Sequence, residues 1–506
     1  MRKYITPLLL AAALQAAPVT GVSAQQSANT LRWSSEAALA VVDPYFTASR
    51  EGAIIDAQLV WDTLVYRDPE TGDYKPLLAK SWKWVDDVTL EFELRDDVKF
   101  HDGKPLTSDD VVYTYNYVAN PANKVNVQSN VSFIKEAVAT GPYGVRLTLK
   151  RPFPAVLEYV ASVHAILPKD FYGAGGVAGG NGRLVGTGPY KISQFVPGNT
   201  VELTRTGTYF KDSPKGDPKL NVIVYKSIPD MSTQIANLLS GNLDWIWYVP
   251  KDQVKPLQAQ KNITVVQSET MRISFLAFNL RDKPGGNPLK DLRVRQAIGH
   301  AIDRDLIIKE IVGGGTSVLK SPCYKTQFGC GKEGTQLAYD PALAKKLLAE
   351  AGYAKGFTLE LVSYRNRDWI EAIAGFLNEV GIKTNVSVLQ WPSVRDRMVN
   401  NTLDLYMGDW GSYGVNDVSA VYNAFFLQGP DDLAQDPELA KVLQEAVGTT
   451  DKAVRKEKYD FASDRVQNQV YWFPLWPNPI TYAYRSDLQF RAYPDENPRF
   501  FQSSWK

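Results

Sequence analysis

Histidine, cysteine and methionine are scarce in this chain, with three, two and five among 506 residues. His101, His164 and His300 stand far apart, and none has a second His, a Cys or an acid at metal-ligand spacing. A transition-metal centre therefore lacks donors, and no metal or cofactor is expected. A nucleophile with its base is missing too. Gly411-Ser412-Tyr413-Gly414 has the wrong spacing for a Gly-x-Ser-x-Gly elbow. Acidic pairs such as Asp109-Asp110 are explained by the start of a helix. Nothing demands turnover, so the chain is not expected to be an enzyme. Excess charge of one sign is also absent: 56 basic and 55 acidic residues leave a formal net charge of +1. That balance points away from nucleic acid and from anionic membranes. The apolar run from Leu8 to Leu14 falls short of the roughly 20 residues that a spanning helix needs. Gly173 to Gly182 is not followed by the Lys of a phosphate loop and reads as a surface loop. Gly186-Thr187-Gly188 lacks the third glycine of a dinucleotide fingerprint and runs straight into Pro189.

What is present is bulk, aromatics and an export signal. The length allows two or three domains with sizeable cores. The 12 Trp and 26 Tyr suit a ligand cleft, although most such rings pack cores. Met1-Arg2-Lys3, the short apolar run and Val22-Ser23-Ala24 form a signal peptide over residues 1–24. Cleavage after Ala24 leaves Gln25 first and not Cys, so the expected product is a periplasmic protein and not a lipoprotein. In that oxidising compartment Cys323 and Cys330 are expected to form a local disulfide. Such a short loop stabilises by about 2–3 kcal/mol in the chain-entropy account.

Along the chain, strand and helix signals alternate. A strand begins at Leu31, and a helix is expected around Ile54–Leu64. Trp82–Trp84 and Thr89–Leu94 make a hairpin turning at Asp86-Asp87. Ser108 stands where an N-cap belongs, with Asp109 and Asp110 in the first helical turn. Pro229–Asp244 reads as a helix closed by Gly241. Tyr339–Tyr353 is a helix with Asp340 as cap, Pro341 at its first position and Gly352 as the left-handed stop. Phe357–Val362, Trp369–Val380 and Thr384–Leu389 follow as strand, helix and strand, which favours an α/β lobe with right-handed crossovers.

Four segments carry a resemblance. Leu94 to Tyr115, with Phe100-His101-Asp102-Gly103 at its centre, resembles the signature of the family 5 extracellular solute-binding proteins of ABC importers. These are the peptide, nickel and opine receptors, including those for dipeptides and oligopeptides. Val185–Ile192 and Leu289–Arg304 are similar to further hallmarks in the expected order, and Leu405–Ser419 corresponds to a loop of the family. The resemblance spans essentially the whole mature chain. It implies an α/β, two-lobed periplasmic binding protein fold (type II, cluster C) with a subdomain inserted in the first lobe and a hinge between lobes. Carried over, lobe I is 25–62 with 185–277 and 477–506, the insert is 63–184, and lobe II is 278–476. The hinge crossings fall near Phe275–Asn279 and Phe473–Pro477. The implied partners are a small ligand (peptide, opine or oligosaccharide-like) and an inner-membrane permease, with the receptor a monomer.

Leu405–Ser419 interrupts the α/β pattern with aromatics, glycines and polar side chains. Glycine lets backbone approach a ligand, Trp410 and Tyr413 offer stacking faces, and Asp417 can accept hydrogen bonds. In the family this loop lines the cleft. Dipeptide and oligopeptide receptors usually carry an Asp three residues after the Trp to hold the α-ammonium, where this chain has Tyr413. A buried ammonium without a carboxylate is costly, so a free-amine peptide is disfavoured against polyol-rich, opine-like, oligosaccharide or blocked-peptide ligands. Further binding candidates are Tyr45, Trp245, Trp247, Arg272, Tyr364, Arg365, Arg367 and Trp391. Arg272 and Arg365 suit a ligand carboxylate, since a guanidinium forks onto two oxygens. Two rival readings stay open: a periplasmic hydrolase of glycans or peptides, and a chaperone or signalling receptor sharing the fold.

Overall fold

Two long antiparallel strands, Ile263–Phe278 and Trp472–Arg485, run through the molecule and organise it. They belong to a ten-stranded sheet. Beyond Trp472–Arg485 lie Trp245–Trp247, Thr30–Ser35, Val222–Ser227, Thr200–Arg205 and Tyr190–Val196. Beyond Ile263–Phe278 lie Leu405–Trp410, Phe357–Ser363 and Ile382–Val388. The computed structural model describes residues 29–47, 49–126, 128–173, 184–331 and 333–506, without the side chains of Ser129 and Tyr413. The export signal over 1–24 and most of the Gly173–Gly182 loop lie outside the described residues.

Three of the last-named strands run parallel. Helix Arg367–Glu379 bridges Phe357–Ser363 to Ile382–Val388, burying Ile370, Ile373 and Leu377 at helical spacing. Helix Pro341–Glu350 starts on Asp340, whose Oδ1 accepts from the Leu343 amide at 2.9 Å, and Gly352 beyond its end takes φ +91°. The apolar core falls into separate bodies. The core that holds Leu31, Trp33, Ile480 and Tyr482 gives way to others holding Met271, Ile273, Trp472 and Trp476. The change falls after Val266 on one long strand and between Trp476 and Ile480 on the other. The strand pairing is irregular at the same place, with register shifts between Glu269 and Ile273 and between Ile273 and Phe275.

A second sheet of Ala79–Asp86, Thr89–Leu94, Gly144–Leu149 and Ile134–Gly141 carries helix Ser108–Ala119. The cap of that helix is one residue earlier than the sequence suggested. Thr107 is extended and its amide donates to Asp110 Oδ2 at 2.8 Å, while the Ser108 hydroxyl turns away to donate to the Gly141 carbonyl at 2.7 Å. The helix expected over 54–64 starts at Arg50 and is wound as a π-helix over Ile54–Val60, ending before Trp61. Its end explains Gly186-Thr187-Gly188. A Cβ at Gly186 would lie 1.9 Å from the Val60 carbonyl oxygen, and one at Gly188 2.4 Å from that of Leu59. His101 locks this junction. Its Nδ1 accepts from the Gly186 amide at 3.2 Å, so Nε2–H donates to the Gly188 carbonyl at 2.9 Å. Two of the segments that carry the family resemblance are thus one packing unit. No described helix is long and apolar enough to cross a membrane.

Candidate functional site

A cavity of about 600 Å³ opens between the two halves. One wall comes from Pro44–Arg67, Val125–Val131 and Ala161–His164, the other from Tyr364–Phe425, and the C-terminal stretch 495–499 closes one side. Arg272, within the irregular stretch of the long strand, sits at the seam.

The seam is an ionic network. Arg272 donates to Asp409 Oδ1 at 2.7 Å and to the two Glu496 oxygens at 3.3 and 3.4 Å. Arg50 reaches Glu496 at 2.5 Å, Arg365 lies 3.4 Å from Asp409 Oδ2, and the Tyr364 hydroxyl donates to Asp409 Oδ1 at 2.9 Å. Burial opposes the Arg272 charge, but Glu496 and Asp409 outweigh it and hold its pKa above the ordinary value. Burial and the Asp409 charge push the Tyr364 hydroxyl pKa up. A Cβ at Gly411 would come within 2.7 Å of the Arg272 guanidinium, so a larger residue there would have to displace that side chain.

Opposite, the Tyr45 hydroxyl donates to the Ala165 carbonyl at 2.8 Å, and burial raises its pKa. His164 is fully buried. Its Nε2 contacts the Asn130 carbonyl at 2.8 Å, Nδ1 has no partner, and burial lowers its pKa to about 4. The ring is therefore neutral near pH 7. Trp410 packs edge-on to Phe425, with its Nε1–H donating to the Ala420 carbonyl at 3.2 Å. Trp391 begins helix Trp391–Val399, is 36% exposed, and rests against Tyr364 and Tyr406.

Among the sequence candidates, Tyr45, Arg272, Tyr364, Arg365, Trp391 and Trp410 thus come together around the cavity. Trp245, Trp247, Asp417 and Arg367 do not line it. Trp245 and Trp247 are buried with Trp33 in the core, where Tyr482, Phe490 and Phe500 pack on Trp245. Asp417 is turned inward to Arg455, 2.6 Å away, and accepts from the Ser419 amide at 2.9 Å. Arg367 pairs along its own helix with Glu371. The side chain of Tyr413 lies outside the described residues. Cys323 and Cys330 are bonded to each other, and their loop clasps the segment around Asp417. Phe328 exchanges backbone bonds with Asn416 and Val418, and Gln327 donates to the Val415 carbonyl.

Sequence reasoning missed Arg50, Arg67, Lys215, Asp495, Glu496 and Arg499, all on the cavity wall. Asp495-Glu496 and Arg499 form a visible charged cluster near the C-terminus; nothing local marks the others. Arg67 and Glu158 also join the halves beside the cavity. Arg67 donates to the Gly414 carbonyl at 2.8 Å, and Glu158 Oε2 accepts from the Asn416 amide at 2.7 Å. The described residues contain no group of three or more His, Cys, Asp or Glu able to hold a metal ion.

Known proteins are similar to this chain in sequence and in fold. Heme-binding protein A of Haemophilus influenzae is 26% identical over 462 residues, covering 83% of this chain and 82% of that protein. Glutathione-binding protein GsiB of Pectobacterium atrosepticum is 27% identical over 429 residues, covering 81% of each. The solved structure of HbpA2 from Haemophilus parasuis superposes with a TM-score of 0.82 at 23% identity, covering 94% of this chain and 100% of that one, which shows the two-lobed fold. Residues 73–433 match the middle region of the bacterial extracellular solute-binding proteins, family 5. This chain belongs to that family of solute-binding proteins.

Proposed function

We propose that the chain captures a small solute between its two halves in the periplasm and delivers it, as a monomer and chemically unaltered, to the permease of an ABC importer. The observation that carries this reading is the cavity itself. Its walls come from both halves, and polar contacts join those halves beside it. Binding that is shared by two bodies couples occupancy to closure, since only the closed form offers all the contacts. Heme and glutathione, named for the relatives, mark the size class of solute; peptide, opine and oligosaccharide-like ligands remain the candidates for this chain.

The division into lobe I, insert and lobe II belongs to the same proposal. Its first crossing is best put near Thr270, where the core changes over and the strand pairing is irregular. Native mass spectrometry of freshly purified protein should reveal a co-purifying small molecule. Small-angle scattering should report a smaller radius of gyration when that molecule is restored to stripped protein. Deletion of the gene should abolish its uptake. Unchanged uptake overturns the receptor reading, and recovery of a chemically altered solute overturns binding without turnover.

A further inference from the structure

Six cations line the cavity: Arg50, Arg67, Lys215, Arg272, Arg365 and Arg499. Three carboxylates face them, Asp409, Asp495 and Glu496. Just behind the wall, Asp62 pairs with Lys215 at 2.7 Å and Glu158 with Arg67 at 3.4 Å. With those two counted, one positive charge is left over.

The two signs are also presented differently. The Asp409, Asp495 and Glu496 side chains are only 2–7% exposed, and each of their oxygens already has a partner. Asp409 receives Arg272, Tyr364 and Arg365; Glu496 receives Arg272 and Arg50. Asp495 receives Arg499 at 3.0 and 2.7 Å. Arg67, Arg499 and Lys215 are as buried as these acids, but three guanidinium groups stand in front. Arg272 is 21% exposed, Arg50 25% and Arg365 48%. Arg365 lies over the Tyr364 ring at 4.2 Å, and among the described residues its two terminal amino groups have no hydrogen-bond partner.

A ligand entering this space meets unpaired guanidinium N–H groups before any carboxylate. An ammonium there would be desolvated with no free acceptor and would face like charge. A carboxylate would find a planar fork of donors. The far wall adds Asn126, Asn130 and Ser162 as neutral partners beside Arg50 and Arg67, and no carboxylate of its own. Tyr45, Trp391, Trp410 and Phe425 supply faces for an apolar body.

We infer that the cavity selects an organic carboxylate bearing no free ammonium group, with its acid end on Arg365 beside Arg272. This inference rests on the receptor reading above. The test offers the stripped full-length protein an equimolar pool of three matched sets: N-acetyl dipeptides with a free acid, the same dipeptides with free amines, and N-acetyl dipeptide amides. Bound members are recovered by ultrafiltration and identified by mass spectrometry. The expected result is enrichment of the N-acetyl acids at least tenfold over both other sets. Arg365→Gln should lower that retention at least tenfold with an unchanged melting curve, and Arg365→Lys should restore part of it. Equal retention of free-amine or amide members, or full retention by Arg365→Gln, overturns the inference while leaving the receptor intact. Retention of no member also overturns it, and only unimpaired uptake in the deletion strain would remove the receptor reading as well.

Discussion

Asp409 and Asp417 stand eight residues apart in one glycine- and aromatic-rich segment, and both are buried beside an arginine. Their neighbourhoods differ in one respect. The cations on Asp409 open onto the cavity, with Arg365 nearly half exposed, whereas Arg455 on Asp417 is only 5% exposed. Asp409 therefore aims a positive surface at a ligand, and Asp417 ties a loop to helix Lys452–Asn468. A polar residue in a binding loop is informative only once the exposure of its partner is known.

The largest test of this contrast is Asp417→Ala. It leaves Arg455 buried and unpaired, which should cost about 3–5 kcal/mol of unfolding free energy in urea titration. A loss under about 1 kcal/mol would erase the distinction between the two aspartates. His164 provides a buried titrating group with no counter-ion and so should behave like neither aspartate. An unfolded histidine titrates near 6.5 and this one near 4, so between those values the unfolded chain binds more protons. The His164 contribution to stability should fall as pH drops through that window, by about 3 kcal/mol, while buried Asp43, with its pKa raised to about 6, acts in the opposite sense. His164→Gln should remove the first contribution and leave the second.

Reducing Cys323–Cys330 should cost about 2–3 kcal/mol. Hydrogen exchange should speed up at Val415–Val418, which the disulfide loop clasps, and stay unchanged at Leu405–Asp409, which lies inside the sheet. Equal acceleration in both stretches would dissolve the contrast. The smallest effect belongs to Asp409→Asn, about 1–2 kcal/mol, because Arg272 keeps Glu496 and Arg365 keeps solvent. If it destabilises as much as Asp417→Ala, the cavity side is as closed a structural pair as the loop side.

Local signals carried the elements well. The Asp340-Pro341 start and Gly352 stop bracket their helix, and Gly241, with φ +77°, follows the helix Met231–Leu239. Caps and stops act within one turn, so they survive whatever the rest of the chain does. The π-helical winding at Ile54–Val60 was not legible, since it reflects close packing against Gly186 and Gly188 more than 120 positions away. The candidate site divides the same way. Trp410 ends a strand, and Tyr364 and Trp391 come just after strand ends, where α/β proteins expose side chains; all three reach the cavity. Arg50, Arg67, Glu158 and Glu496 acquire meaning only through partners more than 80 residues distant, such as Arg67 with Gly414 and Glu158 with Asn416. Trp247 misleads because a ring of that size fits a core as well as a cleft.

The irregular stretch Glu269–Ile273 has a mechanical meaning. Where the ladder of backbone bonds falters, hydroxyls and an amide take over: Thr270 Oγ1 donates to the Asn478 carbonyl at 2.9 Å and Ser274 Oγ to Asn478 Oδ1 at 2.6 Å. A side-chain bond can swivel about its own torsions, which a rigid peptide ladder cannot do. On the proposed reading of two bodies that close on a solute, these residues would be the pivot, with the strands on either side staying zipped. The Met271 amide, bonded to the Pro494 carbonyl at 2.7 Å, tethers this place to the stretch that carries Glu496. Any swing about this axis therefore drags the acid that steadies Arg272, so the angle between the bodies and the aim of the guanidinium change together.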